Sequence, residues 1–242
     1  MLWVIKKELL MNARYKMKTI NRYCFPFFLI APYVLIAQYY GFKVEILKNM
    51  IMWIWMCQLL FGVADGIGEL CIEGTLVNII ASPIGIVGYL FGKYVYHTID
   101  CIFITLFTLA FAKIFLNLTI DGILLFIVEV IALSLSLFCF SIMFAVMVLK
   151  YKKVKELNYF LQQLFGFLSG YTNDIKSYPA GIRFISYLIP LTYSILLNKK
   201  QISFKHEFLI LLFLSMSYFV LGSVLLKKEI NKARSKGNLE LW

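Results

Sequence analysis

Three ionisable residues stand inside stretches that are otherwise apolar: His97, Asp100 and Glu129. Such groups at membrane depth face a bundle interior or a wet cavity, and they often serve proton relays or substrate contacts. His97 and Asp100 are three residues apart, so a helix puts them on one face, where they could pair. Structural pairing, or a position near the cytoplasmic interface, is the plainer reading. Lys93, four residues earlier, reads as a snorkelling side chain. No catalytic constellation accompanies them. The two histidines, His97 and His206, fall at opposite expected sides of a membrane. A Gly-x-Ser-x-Gly elbow is absent, and so is His-Glu-x-x-His. Five cysteines, Cys24, Cys57, Cys71, Cys101 and Cys139, are odd in number and lack metal-ligand spacing, which predicts buried free thiols. No catalytic, cofactor or metal residue is assigned, and the chain by itself is not expected to be an enzyme.

The elements that must position these residues are apolar. Of 242 residues, 61% are hydrophobic, 17% aromatic and only 15% charged, against about 25% charged in a soluble domain. Several apolar runs reach the ~18–20 residues needed to cross about 30 Å of hydrocarbon. A soluble fold would need an oversized core with too little polar surface to cover it. The fold class is therefore all-α integral membrane, as a single transmembrane domain over residues 1–242 with no internal repeat. The net charge of +11 sits at chain ends and in loops, and no aromatic-interleaved basic patch argues for nucleic acid.

Along the chain, Leu2 to Ile20 reads as an amphipathic helix. Leu2, Ile5, Leu9, Ala13, Met17 and Ile20 form the apolar side, and Lys6, Lys7, Arg14 and Lys18 fall largely opposite. That pattern predicts a helix in the membrane interface, with packing on another protein surface as the alternative. Six spans follow: Cys24 to Tyr40, with Pro26 and Pro32 inside it; Met50 to Ala64; Pro83 to Phe111; Gly122 to Leu149; the short Leu157 to Tyr171; and Phe208 to Leu226. Gly41 to Lys48 and Lys113 to Asp121 read as external turns. Between the last two spans, Thr172 to Lys205 includes an apolar stretch broken by Pro190 and too short to cross, which predicts paired re-entrant or interfacial helices. The first apolar run starts too late for a cleavable signal peptide.

Charge counting orients the spans. Six Lys/Arg lie before Cys24, four in Lys150 to Lys155 and five after Leu226, against two and one in the external turns. Both termini are then cytoplasmic. The five basic residues before the last span run against the rule.

One polar insert interrupts this pattern, Glu73-Gly74-Thr75-Leu76-Val77-Asn78-Ile79-Ile80-Ala81-Ser82-Pro83. As a helix it places Leu76, Ile79 and Ile80 on one face, and Gly74 permits a sharp bend after Glu73. Such a helix could set its apolar edge in a partner's groove while Glu73 pairs with a basic residue there. An ordinary interfacial loop helix is the other reading.

Glu73-Gly74-Thr75-Leu76 followed by Ile79-Ile80-Ala81-Ser82-Pro83 resembles the coupling-helix motif of ABC type-2 permeases. Ile189-Pro190-Leu191-Thr192-Tyr193 is similar to that family's Pro-Leu-Thr/Ser-Tyr signature in the broken helices before the last span. Leu70-Cys71-Ile72 stands where the family often carries a charged run. The resemblance covers nearly the whole chain. It implies a membrane subunit that pairs with a second permease chain, as homo- or heterodimer, and with two cytoplasmic ABC ATPase subunits that bind ATP and Mg. The chain itself has no Gly-x-x-x-x-Gly-Lys-Ser/Thr loop. Glu73, Gly74, Thr75, Leu76, Ile79 and Ile80 would then transmit the ATPase motion, and Pro190, Leu191, Thr192 and Tyr193 would build the re-entrant segment. Gly62/Gly66, Gly88/Gly92 and Gly166/Gly170 all have the spacing that lets helices approach closely. The resemblance favours Gly166 and Gly170 as the dimer contact.

The expected function is export of an amphipathic peptide or hydrophobic drug-like substrate across the cell membrane, with lipid-linked polysaccharide as the alternative cargo. A different class of reading is an ATP-independent immunity or binding protein for a membrane-active peptide. A passive channel is disfavoured because no span carries a regular polar stripe.

Overall fold

The structure, a computed structural model, describes residues 2–17, 20, 28, 32, 43–116, 123–151, 155–171, 174–199 and 202–235. Among these the chain is all helix, with no strand. The helices are α1 (Leu2–Arg14), α2 (Lys43–Met56), α3 (Gly62–Ile72), α4 (Leu76–Ala81), α5 (Gly85–Leu116), α6 (Ile123–Tyr151), α7 (Lys155–Leu168), α8 (Ala180–Ser186), α9 (Pro190–Asn198) and α10 (Phe204–Ser235). A π-helical turn, Cys57–Phe61, joins α2 to α3 without a break.

Four helical stretches are long and apolar enough to cross a membrane: Val44–Ile72, Gly85–Ile114, Ile123–Lys150 and Phe204–Lys232. The count is five if the bent pair α8–α9 is taken as one span. The predicted Cys24 to Tyr40 span lies outside the described residues except for Phe28 and Pro32. The predicted Leu157 to Tyr171 span is α7, a helix of 14 residues, shorter than the ~20 a crossing requires. The turn expected over Gly41 to Lys48 is corrected from residue 43 onward. It is the first part of α2, where Leu47 is buried and Ile46 packs against the core. With 32 residues each, α5 and α10 extend about 48 Å, so both outreach about 30 Å of hydrocarbon.

The core lies between α2, the π turn, α3 and α6. Met52, Met56, Leu59, Leu60, Val63 and Ile67 are buried against Leu133, Leu137, Ile142 and Ala145. Rings knit this layer together: Phe61 meets Phe144 at 5.4 Å and Phe140 meets Tyr218 at 4.6 Å between centroids. Gly222 of α10 faces the backbone of α6 so closely that a Cβ there would sit 3.0 Å from the Met143 nitrogen. With Tyr218 beside Phe140, this contact shows α6 and α10 running in the same direction. The outer side of α10 exposes Leu209, Phe213, Met216, Val220 and Val224. That surface suits lipid rather than water.

The bundle has two ends. At the first, α3, α4, α5 and the start of α7 converge around Glu73. At the second, α2 and α6 begin, α9 ends and α10 starts around Glu207.

Candidate functional site

At the Glu73 end a sharp elbow connects two long helices. The chain leaves α3 at Ile72, turns through Gly74 at φ 66°, forms α4, and turns again at Gly85, φ 63°. Left-handed backbone of this kind favours glycine, which explains both positions. Thr75 N donates to Leu70 O at 2.9 Å and Ser82 Oγ donates to Ile79 O at 2.8 Å, closing the ends of the two short segments.

The expected orientation of α4 is corrected. Its apolar edge does not face outward: Leu76 is buried, and Ile79 and Ile80 pack against the chain's own core. The outward surface is Ile72 (76% exposed), Val77, Asn78, Ala81, Pro83 and Ile84. Nor is Glu73 waiting for an outside cation, because Lys7 of α1 donates to its Oε2 at 2.6 Å. The Oγ1 of Thr75 is buried without a hydrogen-bond partner among the described residues.

That ion pair is the rim of a larger network. Lys93 of α5, only 2% exposed, donates to Glu8 Oε1 of α1 at 2.6 Å and also bonds Glu69 of α3. Lys93 is therefore clamped between two carboxylates rather than snorkelling, because α1 lies across it. Asn12 of α1 bonds Tyr96, and Asn158 of α7 bonds Asp65 of α3. Helix α1 turns Val4, Glu8 and Asn12, spaced one turn apart, toward α5. Its apolar side chains Trp3, Leu9, Leu10 and Met11 face away from the protein.

Glycines make the approach possible. A Cβ at Gly66 would lie 3.2 Å from Lys93 Cε, one at Gly62 would lie 2.9 Å from His97 Cε1, and one at Gly92 would lie 3.0 Å from Val4 Cβ. The Gly62/Gly66 spacing thus receives Lys93 and His97, one turn apart on α5. His97 and Asp100 are both buried along this face, so Tyr89, Lys93, His97 and Asp100 form a polar column running from the elbow into the bundle.

Glu129 is not part of that column. It lies at the other end, buried, within Coulombic reach of Glu207 of α10 and Lys48 of α2. Ser194 of α9 donates to Glu207 Oε1 at 2.8 Å, and Asn198 donates to Asn49 Oδ1 at 3.0 Å. Glu207 had no sequence signal. In Lys205-His206-Glu207 it reads as one of three polar residues at an interface, and only the position of α9 encloses it.

The Pro190-Leu191-Thr192-Tyr193 segment begins α9 after a 97° bend from α8. Proline fits the first helical position, whose N–H has no partner in the helix. Thr192 Oγ1 donates to Ser186 O at 2.6 Å and Tyr193 Oη donates to Tyr187 O at 2.8 Å. The Ser186 carbonyl also accepts from Ile189 N at 3.0 Å, so Thr192 adds a second donor to it, and Tyr193 serves the carbonyl of Tyr187, the residue that ends α8. Leu191 is fully buried. In the segment leading into α8, Tyr178 Oη donates to Phe167 O at 2.8 Å, and burial followed by the charge of Asp174 pushes its phenol up from the usual range.

Gly166 and Gly170 do intrachain work. Gly166 is closed by Trp53, whose Nε1 would lie 2.6 Å from a Cβ, and Gly170 turns the chain at φ 82° after α7.

No protein-family model matches this chain, and no curated protein matches it.

Proposed function

We propose that the chain is the membrane subunit of an ATP-driven exporter of the ABC type-2 permease class. The observation that carries this reading is the Glu73 elbow. A short helix joins two helices long enough to cross a membrane, is bonded to the chain's own core on one side, and offers Ile72, Val77, Asn78, Ala81 and Ile84 on the other. A push on that outward surface reaches α3 and α5 directly through the two glycine turns. It reaches α1 through Lys7–Glu73, and α3, α1 and α5 together through Lys93. An equilibrium between two arrangements of the spans can be biased from outside the membrane in this way.

In this reading two permease chains form the pathway, each with six spans and both termini in the cytoplasm. Two cytoplasmic ATPase subunits bind ATP and Mg. Helix α1 lies in the interface of the cell membrane, which its outward Trp3, Leu9 and Leu10 suit. The α8–α9 pair is re-entrant from the external side, and its hydroxyl-capped carbonyls meet the rule that irregular backbone at membrane depth must be satisfied by protein. The cargo is an amphipathic peptide or a hydrophobic drug-like molecule.

The test is co-purification of an ABC ATPase with the tagged chain, followed by ATP hydrolysis and export by the complex. Val77→Glu lies on the outward side of α4 and is expected to abolish ATPase capture while leaving the chain folded. Unchanged export or protection in a strain lacking the ATPase would overturn the proposal in favour of an ATP-independent binding protein.

A further inference from the structure

Among the described residues, the Glu207 end holds more negative charge than its neighbours answer. Glu129 and Glu207 enter it from α6 and α10, and they are 2% and 1% exposed. Ser194 serves Glu207. Glu129 Oε1 is buried with no hydrogen-bond donor among the described residues. Phe140 of α6 packs on Tyr218 of α10. Glu129 and Glu207 each stand eleven residues, about three turns, earlier on those two parallel helices, so both carboxylates belong to one interface. Lys48 of α2 is the cation that acts on Glu129. Lys48 lies over the Phe126 ring, its Nζ 5.6 Å from the centroid, and no ion pair joins it to either carboxylate among the described residues. The nearby amides are engaged, since Asn198 donates to Asn49 and also to Met52 Sδ.

We propose that Glu129 and Glu207 form a proton-binding site, one proton held between two carboxylates, whose occupancy sets how firmly the α8–α9 hairpin is attached to α10. Two carboxylates and one ammonium leave a net charge of about −1 in a site of low polarity, which is costly. One proton brings the cluster to neutrality and gives Glu129 an O–H with which to satisfy its neighbour. A proton needs no cavity. The described residues hold no group of three acidic, histidine or cysteine side chains that would suit a metal ion.

The hairpin follows from the connections. Ser194 in α9 is bonded to Glu207, and Asn198 in the last turn of α9 is bonded to Asn49 of α2. When the proton leaves, repulsion between the two carboxylates is relieved by moving the start of α10 away from α6, and Ser194 must follow or release. The attached state is therefore the protonated one. This inference does not depend on ATP or on a partner chain.

The experiment uses the full chain in lipid nanodiscs. Infrared spectra across a pH titration read protonated carboxyl groups, and amide hydrogen exchange reads α8 and α9. A buried carboxylic C=O band is expected in the wild type and lost in Glu129→Gln and in Glu207→Gln alike, because one carboxylate and one ammonium are already neutral. Exchange in α9 is expected to rise by about tenfold as the proton leaves, the scale of a hydrogen bond to a charged group. In Glu129→Gln, a permanent mimic of the protonated side chain, exchange stays slow at every pH. His206, next to Glu207 in the chain and with Ser203 Oγ 2.6 Å from its Nδ1, is the histidine control. Wild-type pH dependence that persists in Glu129→Gln, or that disappears only in His206→Gln, would overturn the proposal. So would identical carboxyl bands in wild type and Glu129→Gln. Thermal melting of each variant verifies that it is folded.

Discussion

The two ends of this bundle are built from the same residue types and differ in how charge is answered. At the Glu73 end, carboxylates from α1, α3 and the elbow meet two lysines at direct ion-pair distance. At the Glu207 end, two carboxylates more deeply buried than Glu69 or Glu73 stand near Lys48, which pairs with neither among the described residues. The first arrangement is a fastener: its groups satisfy one another, and removing one member damages the rest. The second is incomplete as it stands and calls for a proton. A count of ionisable residues in the apolar regions does not separate the two.

Substitutions can break or sharpen that contrast. The largest loss is expected for Lys93→Met, which leaves Glu8 and Glu69 facing each other without a cation. Removing one member of a fully buried pair costs about 3–5 kcal/mol, and partial solvent access at Glu69 brings the expectation down to about 2–3 kcal/mol. Unfolding in mixed micelles measures it, and an unchanged midpoint would show that charge does not hold the Glu73 end. Gly62→Leu comes next, since it drives a side chain into His97; overpacking of this kind costs about 1–3 kcal/mol. Pairing it with His97→Ala should recover part of the loss, and a double-mutant cycle with no recovery would mean that the two residues do not touch. Thr192→Val strips one of the two donors from the Ser186 carbonyl, which keeps Ile189 N, for about 0.5–1.5 kcal/mol and faster amide exchange confined to α8 and α9. The smallest effect is Glu73→Ala. An exposed ion pair contributes about 0.2–1 kcal/mol, so the melting point should barely move, while ATPase coupling should fall if the elbow transmits motion. A large stability loss with coupling intact would recast Glu73 as part of the fastener only.

How much of this was legible in the residues depends on distance along the chain. The elbow is local: Glu73, Gly74, a short apolar helix and Pro83 sit within eleven consecutive positions, and their spacing alone implies a bent connection. The hairpin is local too, since Pro190 both interrupts the apolar run and starts α9. The direction in which α4 points was not legible. Leu76, Ile79 and Ile80 form an apolar edge whether the partner is another protein or the chain's own core, and periodicity cannot distinguish them. The same limit applied to Lys93, which looked like a lone snorkelling cation until α1 was laid across it, 85 residues away in sequence.

Composition and run length determined, without any coordinates, that this chain is helical and lipid-loving, because covering so much apolar surface with so little charge leaves few other outcomes. Only the tertiary structure decided which charges meet. Glu8 reaches Lys93, and Glu207 comes within Coulombic reach of Glu129, through contacts between helices far apart in the chain, and a sequence records the charge of each side chain but not the neighbour that neutralises it.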